Sequence, residues 1–243
     1  MEKKHILILT DWYEPGYKAG GPIQSCRHFI AAMHDRFRIS VLTSDRDIGD
    51  STAYPGLPTG QWILREPGIN IYYADVSTLD GRLMGDLILS RKPDFVYLNS
   101  MYSYRFSILP LFLSWQKKIQ TQIVLSPRGM LQQGALKFKA VKKKSFIFLL
   151  RRMHIPERIH FHATDPQEKK DILRWFPKAG KVEMIPNFSS AVPSHGLPVE
   201  KVAGQLRCVY ISRIIPKKNL LFFLKLLNLV PDQIQLEFTI YGE

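Results

Sequence analysis

The chain has 243 residues, 45% of them hydrophobic, with 34 Lys and Arg against 21 Asp and Glu for a formal charge of +13. An apolar content this near the average excludes wholesale disorder, and two widely separated cysteines, Cys26 and Cys208, exclude a disulfide framework and a metal knuckle. A reducing compartment is therefore expected, and with no apolar run near the roughly 18 residues that span a bilayer, so is a soluble or peripheral protein.

The first residues, MEKKHILILTDW, begin like a signal peptide, but the apolar stretch is short and no small-residue cleavage site follows, so they read as a first buried strand. Further extended apolar runs fall at 38–44, 69–74, 94–100, 121–127, 159–165 and 181–186, after the first at 5–10. Most lack alternation, as parallel strands covered on both faces do. Helix-period segments lie between them: Ile23, Ile30, Met33 and Phe37 mark one stripe, Leu79 to Leu89 another, and further helices fit 105–118, 137–153 and 166–175. The pattern predicts an α/β fold, a doubly wound and mostly parallel sheet. After Pro186 the sequence turns rich in proline, glycine and serine and reads as a hinge. A second unit opens with a strand at 206–212, a helix over 218–230 and a strand at 235–242. The expected organisation is a first domain over 1–187, a linker over 188–204 and, over 205–243, the beginning of a domain with too little core to stand alone.

The loop DWYEPGYKAGGPIQS joins the first strand to its helix. Gly20 and Gly21 would let backbone approach a ligand, and Pro22 suits a first helical turn, so helix-end amides would face an anion such as a diphosphate. An ordinary loop and helix start fits the residues equally well. Neither a dinucleotide fingerprint nor a phosphate loop is present, which disfavours a nicotinamide-dependent oxidoreductase. Arg128 and Gly129 follow the strand at 121–127, at the carboxyl end where open α/β sheets place ligands, so Arg128 is a candidate for phosphate or carboxylate, or else a solvated turn residue. His160 and His162 share one strand face without a third metal ligand and are expected in the core or hydrogen-bonded, while Cys26 is expected as a small buried hydrophobe. Asp165 and Pro166 read as cap and first turn of the next helix, flanked by Thr164 and Glu168.

Residues 137–158 carry eight Lys and Arg against Glu157 alone, more than half of the excess charge. Lys142, Lys143 and Lys144 adjoin the apolar SFIFLL, giving a helix with a basic face and a greasy one, suited to anionic lipid or a charged lipid-linked acceptor. A solvated basic face packed by its apolar side on the sheet is the alternative. Nucleic acid is not expected, because no recognition helix, knuckle or RNA-sheet motif is visible. In ISRIIPKKN, Arg213 and Lys218 lie across a turn shortened by Pro216 and would converge on one diphosphate at a helix start.

Four stretches together, ILILTDWYEPGYKAGGPIQS, HATDPQEKKDI, MIPNFSS and VYISRIIPKKNLLFFLKLL, resemble the two-domain retaining glycosyltransferases of the GT-B fold, the group 1 or family 4 enzymes. The resemblance implies sugar transfer from a UDP- or GDP-linked donor to a hydroxyl with retention of configuration, in assembly of cell-surface polysaccharide or glycolipid. It places Gly20 and Gly21 beside the donor diphosphate, gives Arg213 and Lys218 the pyrophosphate with Lys217 as a competitor, and implies no metal and no cofactor. The acceptor would be a saccharide or lipid-linked molecule, and the location cytoplasmic or peripheral on the cytoplasmic face of a membrane that supplies an anionic surface. MIPNFSS stands at the exit toward the hinge, where the family usually reads P-N-G. Two departures stand out, the first being that SPRGM occupies the loop where many members carry a histidine, so Arg128 inherits no histidine role. The family's E-x7-E donor motif belongs downstream of residue 243, so the donor pocket is expected to be incomplete, with a truncated non-catalytic acceptor or membrane-binding module as the rival reading. Purified chain is expected to show negligible nucleotide-sugar turnover unless another chain completes it; clear turnover by this polypeptide alone would refute that.

Overall fold

The computed structural model describes residues 3–137, 139–189, 202–212, 214–215 and 218–242, and the chain divides into two compact units, 1–190 and 191–243. The first unit holds an eight-stranded sheet ordered β3-β4-β2-β1-β5-β6-β7-β8. Its strands are β1 (His5–Leu9), β2 (Arg38–Ser44), β3 (Trp62–Glu66), β4 (Ile69–Ala74), β5 (Phe95–Leu98), β6 (Gln122–Leu125), β7 (His160–Ala163) and β8 (Lys181–Met184). Every pairing is parallel except β3 with β4, a hairpin closed by Pro67 and Gly68 in which Gly68 takes φ 85°. This exposed edge strand escapes sequence reading because Arg65 and Glu66 interrupt its apolar run.

Strand alternation sorts the core into two layers. Ile6 and Ile8 of β1 pack with Cys26 and Ile30 of helix α1 (Gly21–Met33), whereas Leu7 and Leu9 face the opposite layer. That layer is supplied by α2 (Gly81–Arg91), α3 (Leu109–Trp115), α4 (Gln133–Lys137), α5 (Ala140–Arg152), α6 (Ile155–Arg158) and α7 (Pro166–Trp175). Right-handed crossovers explain the division, because β1 to β2 steps one way along the sheet and the later connections step the other. The doubly wound architecture matches the expectation from sequence, and α7 has the predicted bounds, its cap Asp165 accepting from Glu168 N–H. The helix expected at 105–118 starts with a π-helical turn over Tyr104–Ile108, and the one expected at 137–153 is two helices, with Lys139 at φ 54° before α5.

In the second unit, β9 (Gln205–Ile211) and β10 (Gln235–Tyr241) pair in parallel through α8 (Leu220–Leu227), with Phe223 and Phe238 in ring contact at 5.0 Å. None of its described side chains is buried.

His5 shows how tightly the first sheet is closed at its amino-terminal end. The ring is 1% exposed, Nδ1 donates to Arg91 carbonyl at 3.0 Å and Nε2 accepts from Ser40 hydroxyl at 2.8 Å. Burial, helped by the positive charges of Arg38 and Arg91, lowers its pKa to about 4. The unfolded chain, with a histidine near 6.5, therefore takes up this proton first as pH falls. Stability should decline by about 3 kcal/mol from this group between pH ~6.5 and pH ~4 and level off below. Urea unfolding across that range, compared with His5→Asn, measures the difference; parallel pH profiles for the two proteins would refute it.

Candidate functional site

The carboxyl ends of β1, β5, β6 and β7 lie side by side in the sheet and mark the crevice position at which parallel sheets take ligands. Here the polar residues that end each apolar strand leave the ladder and turn to one another. Asn99, after β5, donates through Nδ2 to Thr10 Oγ1 at 3.4 Å and to Pro22 carbonyl at 3.5 Å, which ties the start of α1 to the sheet. Its Oδ1 accepts from Arg128 Nε at 2.8 Å. Arg128 Nη2 donates to Tyr97 hydroxyl at 3.1 Å and Nη1 to Asn187 Oδ1. Three of five guanidinium N–H groups are thus spent on neutral oxygens, and no carboxylate pairs with Arg128 among the described residues.

Arg128 is aimed by its backbone and by a relay behind it. Arg128 (φ 55°) and Gly129 (φ 72°) are consecutive left-handed residues, an arrangement costly for arginine and sustained only where surroundings hold it. Glu168, fully buried on α7, supplies that hold: one oxygen accepts from Gly129 N–H at 2.6 Å, the other from Thr164 N–H and hydroxyl, both at 2.7 Å. From below, Tyr97 hydroxyl lies 2.7 Å from His162 Nδ1, and His162 Nε2 lies 2.7 Å from Ile185 carbonyl. The carbonyl requires the proton on Nε2, so Tyr97 donates to Nδ1 while accepting from Arg128. Burial pushes the His162 pKa down and that of Tyr97 up, keeping both neutral beside the guanidinium.

The glycine loop is pinned as well. Asp47 carboxylate accepts from Tyr17 N–H at 2.7 Å, Lys18 N–H at 2.9 Å and Ile48 N–H at 2.7 Å, and these bonds outweigh burial to keep its pKa low. Gly20 takes φ 65° and caps α1, whereas a side chain at Gly21 would meet nothing within 4 Å. Close approach is required instead at Gly16, where a Cβ would collide with Tyr54 and with Tyr13 carbonyl. Asp11, beyond β1, accepts from Ser103 hydroxyl at 2.6 Å, and burial raises its pKa.

Arg128 is thus joined through Asn99 to Pro22, the residue that follows Gly20 and Gly21 at the start of α1. Lys143 is not part of an open basic face: its ammonium donates to Ala135 carbonyl at 2.6 Å and lies over the Tyr102 ring, because α5 turns that position inward. Lys142 and Lys144 are exposed. Lys218 is exposed before α8, its N–H bonded to Ile215 carbonyl at 2.9 Å, while Arg213 and Lys217 lie outside the described residues. Cys26 is buried with its pKa raised to about 12, an inert thiol. Sequence reading missed Asp11, Tyr97, Asn99 and Asn187; the available signal was a polar residue at, or just past, the end of an apolar strand.

No family model and no curated protein matches the chain. Among solved structures it is similar to Anabaena HepE, crystallised in complex with UDP-glucose, at a TM-score of 0.61 and 14% identity over 97% of this chain. The match spans 60% of the HepE chain. The likeness is one of fold: the first unit has the Rossmann-like arrangement of a GT-B amino-terminal domain.

Removing the Glu168 carboxylate strands three donors. Glu168→Ala should cost about 3 kcal/mol and Glu168→Gln less, with faster hydrogen exchange at Gly129; urea unfolding and exchange of that amide measure both, and unchanged stability would refute the hold.

Proposed function

We propose that this chain belongs to the GT-B glycosyltransferase superfamily, of the retaining group 1 or family 4 type. In this reading the first unit is its acceptor-side domain and the second the opening of its donor-binding domain. The observation that carries the reading is Arg128, a half-buried cation without a carboxylate partner among the described residues, fixed beside the first turn of α1 at the carboxyl end of a parallel sheet. Two unspent N–H donors and a helix start suit a diphosphate or an anionic acceptor group. HepE's complex with UDP-glucose supports a nucleotide sugar as the partner class.

In this reading the chemistry is transfer of the glycosyl group from a UDP- or GDP-linked donor to a hydroxyl of a saccharide or lipid-linked acceptor, on the cytoplasmic side of the cell. Charge accumulates on the departing diphosphate, and cations with helix-end amides lower its energy more than that of the bound donor. Arg213 and Lys218, with Lys217 as competitor, are assigned to that diphosphate by resemblance, as are the amides at Gly20 and Gly21. Exposed apolar side chains in the second unit, including Ile211 at 78% and Leu229 at 76%, support its reading as the opening of a larger core.

Equilibrium titration of the purified chain with UDP-glucose and with inorganic pyrophosphate tests this. Arg128→Ala should weaken binding roughly 10- to 100-fold, the worth of one charge-assisted pair, with its fold intact by circular dichroism. Equal binding by the two proteins would remove Arg128 from the site, and absence of binding by wild type would remove the nucleotide-sugar reading of this crevice.

A further inference from the structure

Helix α5 presents a surface at odds with an ordinary solvated helix. At 100° per residue its buried side chains, Ile147 and Leu150 with half-buried Lys143 and Phe146, define the inward direction. Val141, Ser145, Phe148 and Arg152 then stand on the outward crest, with Lys144 and Arg151 along one flank and Lys142 and Leu149 along the other. Exposure agrees: Val141 is 79% and Phe148 69% exposed. A helix covering a sheet normally carries its apolar residues inward and polar ones outward; this one does so and adds two large apolar groups to its outermost line.

The charge carried by the helix itself is of one sign. Lys142, Lys144, Arg151 and Arg152 are exposed, and none forms an ion pair among the described residues. Beside the crest lies a recess of about 440 Å³ lined by Phe148, Arg151, Arg152, Lys178 and the His154–Glu157 pair, so that cations outnumber its single carboxylate. No helix among the described residues is long and apolar enough to cross a membrane, so the surface is one for contact rather than spanning.

We propose that the crest of α5 docks the protein on an anionic phospholipid surface. The helix, about 20 Å long, lies in the plane of the headgroups with Val141 and Phe148 below them. Lys142, Lys144, Arg151 and Arg152 meet lipid phosphates. Apolar insertion and cationic attraction are the two terms that hold a helix at an interface, and here both lie on one side of one element. The proposal does not rest on the crevice reading, since nucleotide-sugar binding is measured in solution without lipid.

Co-sedimentation of the full chain tests it, with vesicles of phosphatidylcholine alone and with a third of phosphatidylglycerol. Binding is expected only to the anionic vesicles and to fall at high salt. Lys142→Ala with Lys144→Ala should lower partitioning about 25-fold, near fivefold per charge, and Phe148→Ser about tenfold. Arg82→Ala with Lys118→Ala removes the same charge from exposed positions on other elements and should change little. All these side chains are exposed, and circular dichroism checks that each variant folds. Equal binding to neutral vesicles, equal loss in the Arg82 and Lys118 pair, or no effect of Phe148→Ser overturns the proposal. So does a dimer in sedimentation velocity that Phe148→Ser dissolves, which assigns the face to a second copy of the chain.

Discussion

Parallel strands bury polar backbone between two apolar faces, and each face must be covered; this sheet meets the requirement unequally. Helices α2 to α7 line one layer, while the other has α1 and the segments around Tyr54 and Leu57. Toward β7 and β8 that thin layer ends, and the chain itself completes it: Phe188 returns against Phe29 at a ring distance of 6.0 Å, and its carbonyl bonds to His28. Phe29 in turn stacks on Tyr97 at 5.0 Å. The tyrosine beneath Arg128 is therefore fixed by its ring from one side and by its hydroxyl from the other.

This packing determines the electrostatics of the crevice. Dehydration keeps His162 and Tyr97 uncharged, so among the described residues the guanidinium sits with oriented dipoles instead of a compensating carboxylate. Fixed dipoles stabilise a cation without neutralising it, and its field stays available to an incoming anion. A carboxylate is present nearby, on Glu168, but its two oxygens are saturated by the donors that shape the Arg128 turn. Support and recognition are thereby divided between two residues on different elements.

The parts of the fold legible in sequence are those where one local signal and the tertiary outcome agree. Continuous runs such as HILIL and the cap at Asp165 were readable because parallel burial and capping each leave a direct compositional trace. The edge strand β3 was not, since an exposed edge tolerates the charges that disguise it. Gly20 and Arg128 could be found because strand ends and helix starts are visible locally. The bonds from Asn99 to Arg128 and Pro22, and the relay from Tyr97 to His162 across 65 positions, could not, because sequence separation hides which polar residue faces which. Lys143 shows the limit from another side: three consecutive lysines look equivalent in sequence, yet helical rotation sends the middle one inward.

Asp47 has a consequence for how this protein tolerates change. It belongs to the stretch between β2 and β3, a surface connection of the kind in which families of proteins accumulate insertions and deletions. Yet its carboxylate anchors Tyr17 and Lys18, and Tyr54 of the same stretch fills the space against Gly16. A residue gained or lost there would move the anchor and, through it, the cap of α1. Length in this outer loop is thus under the same restraint as the crevice it never enters.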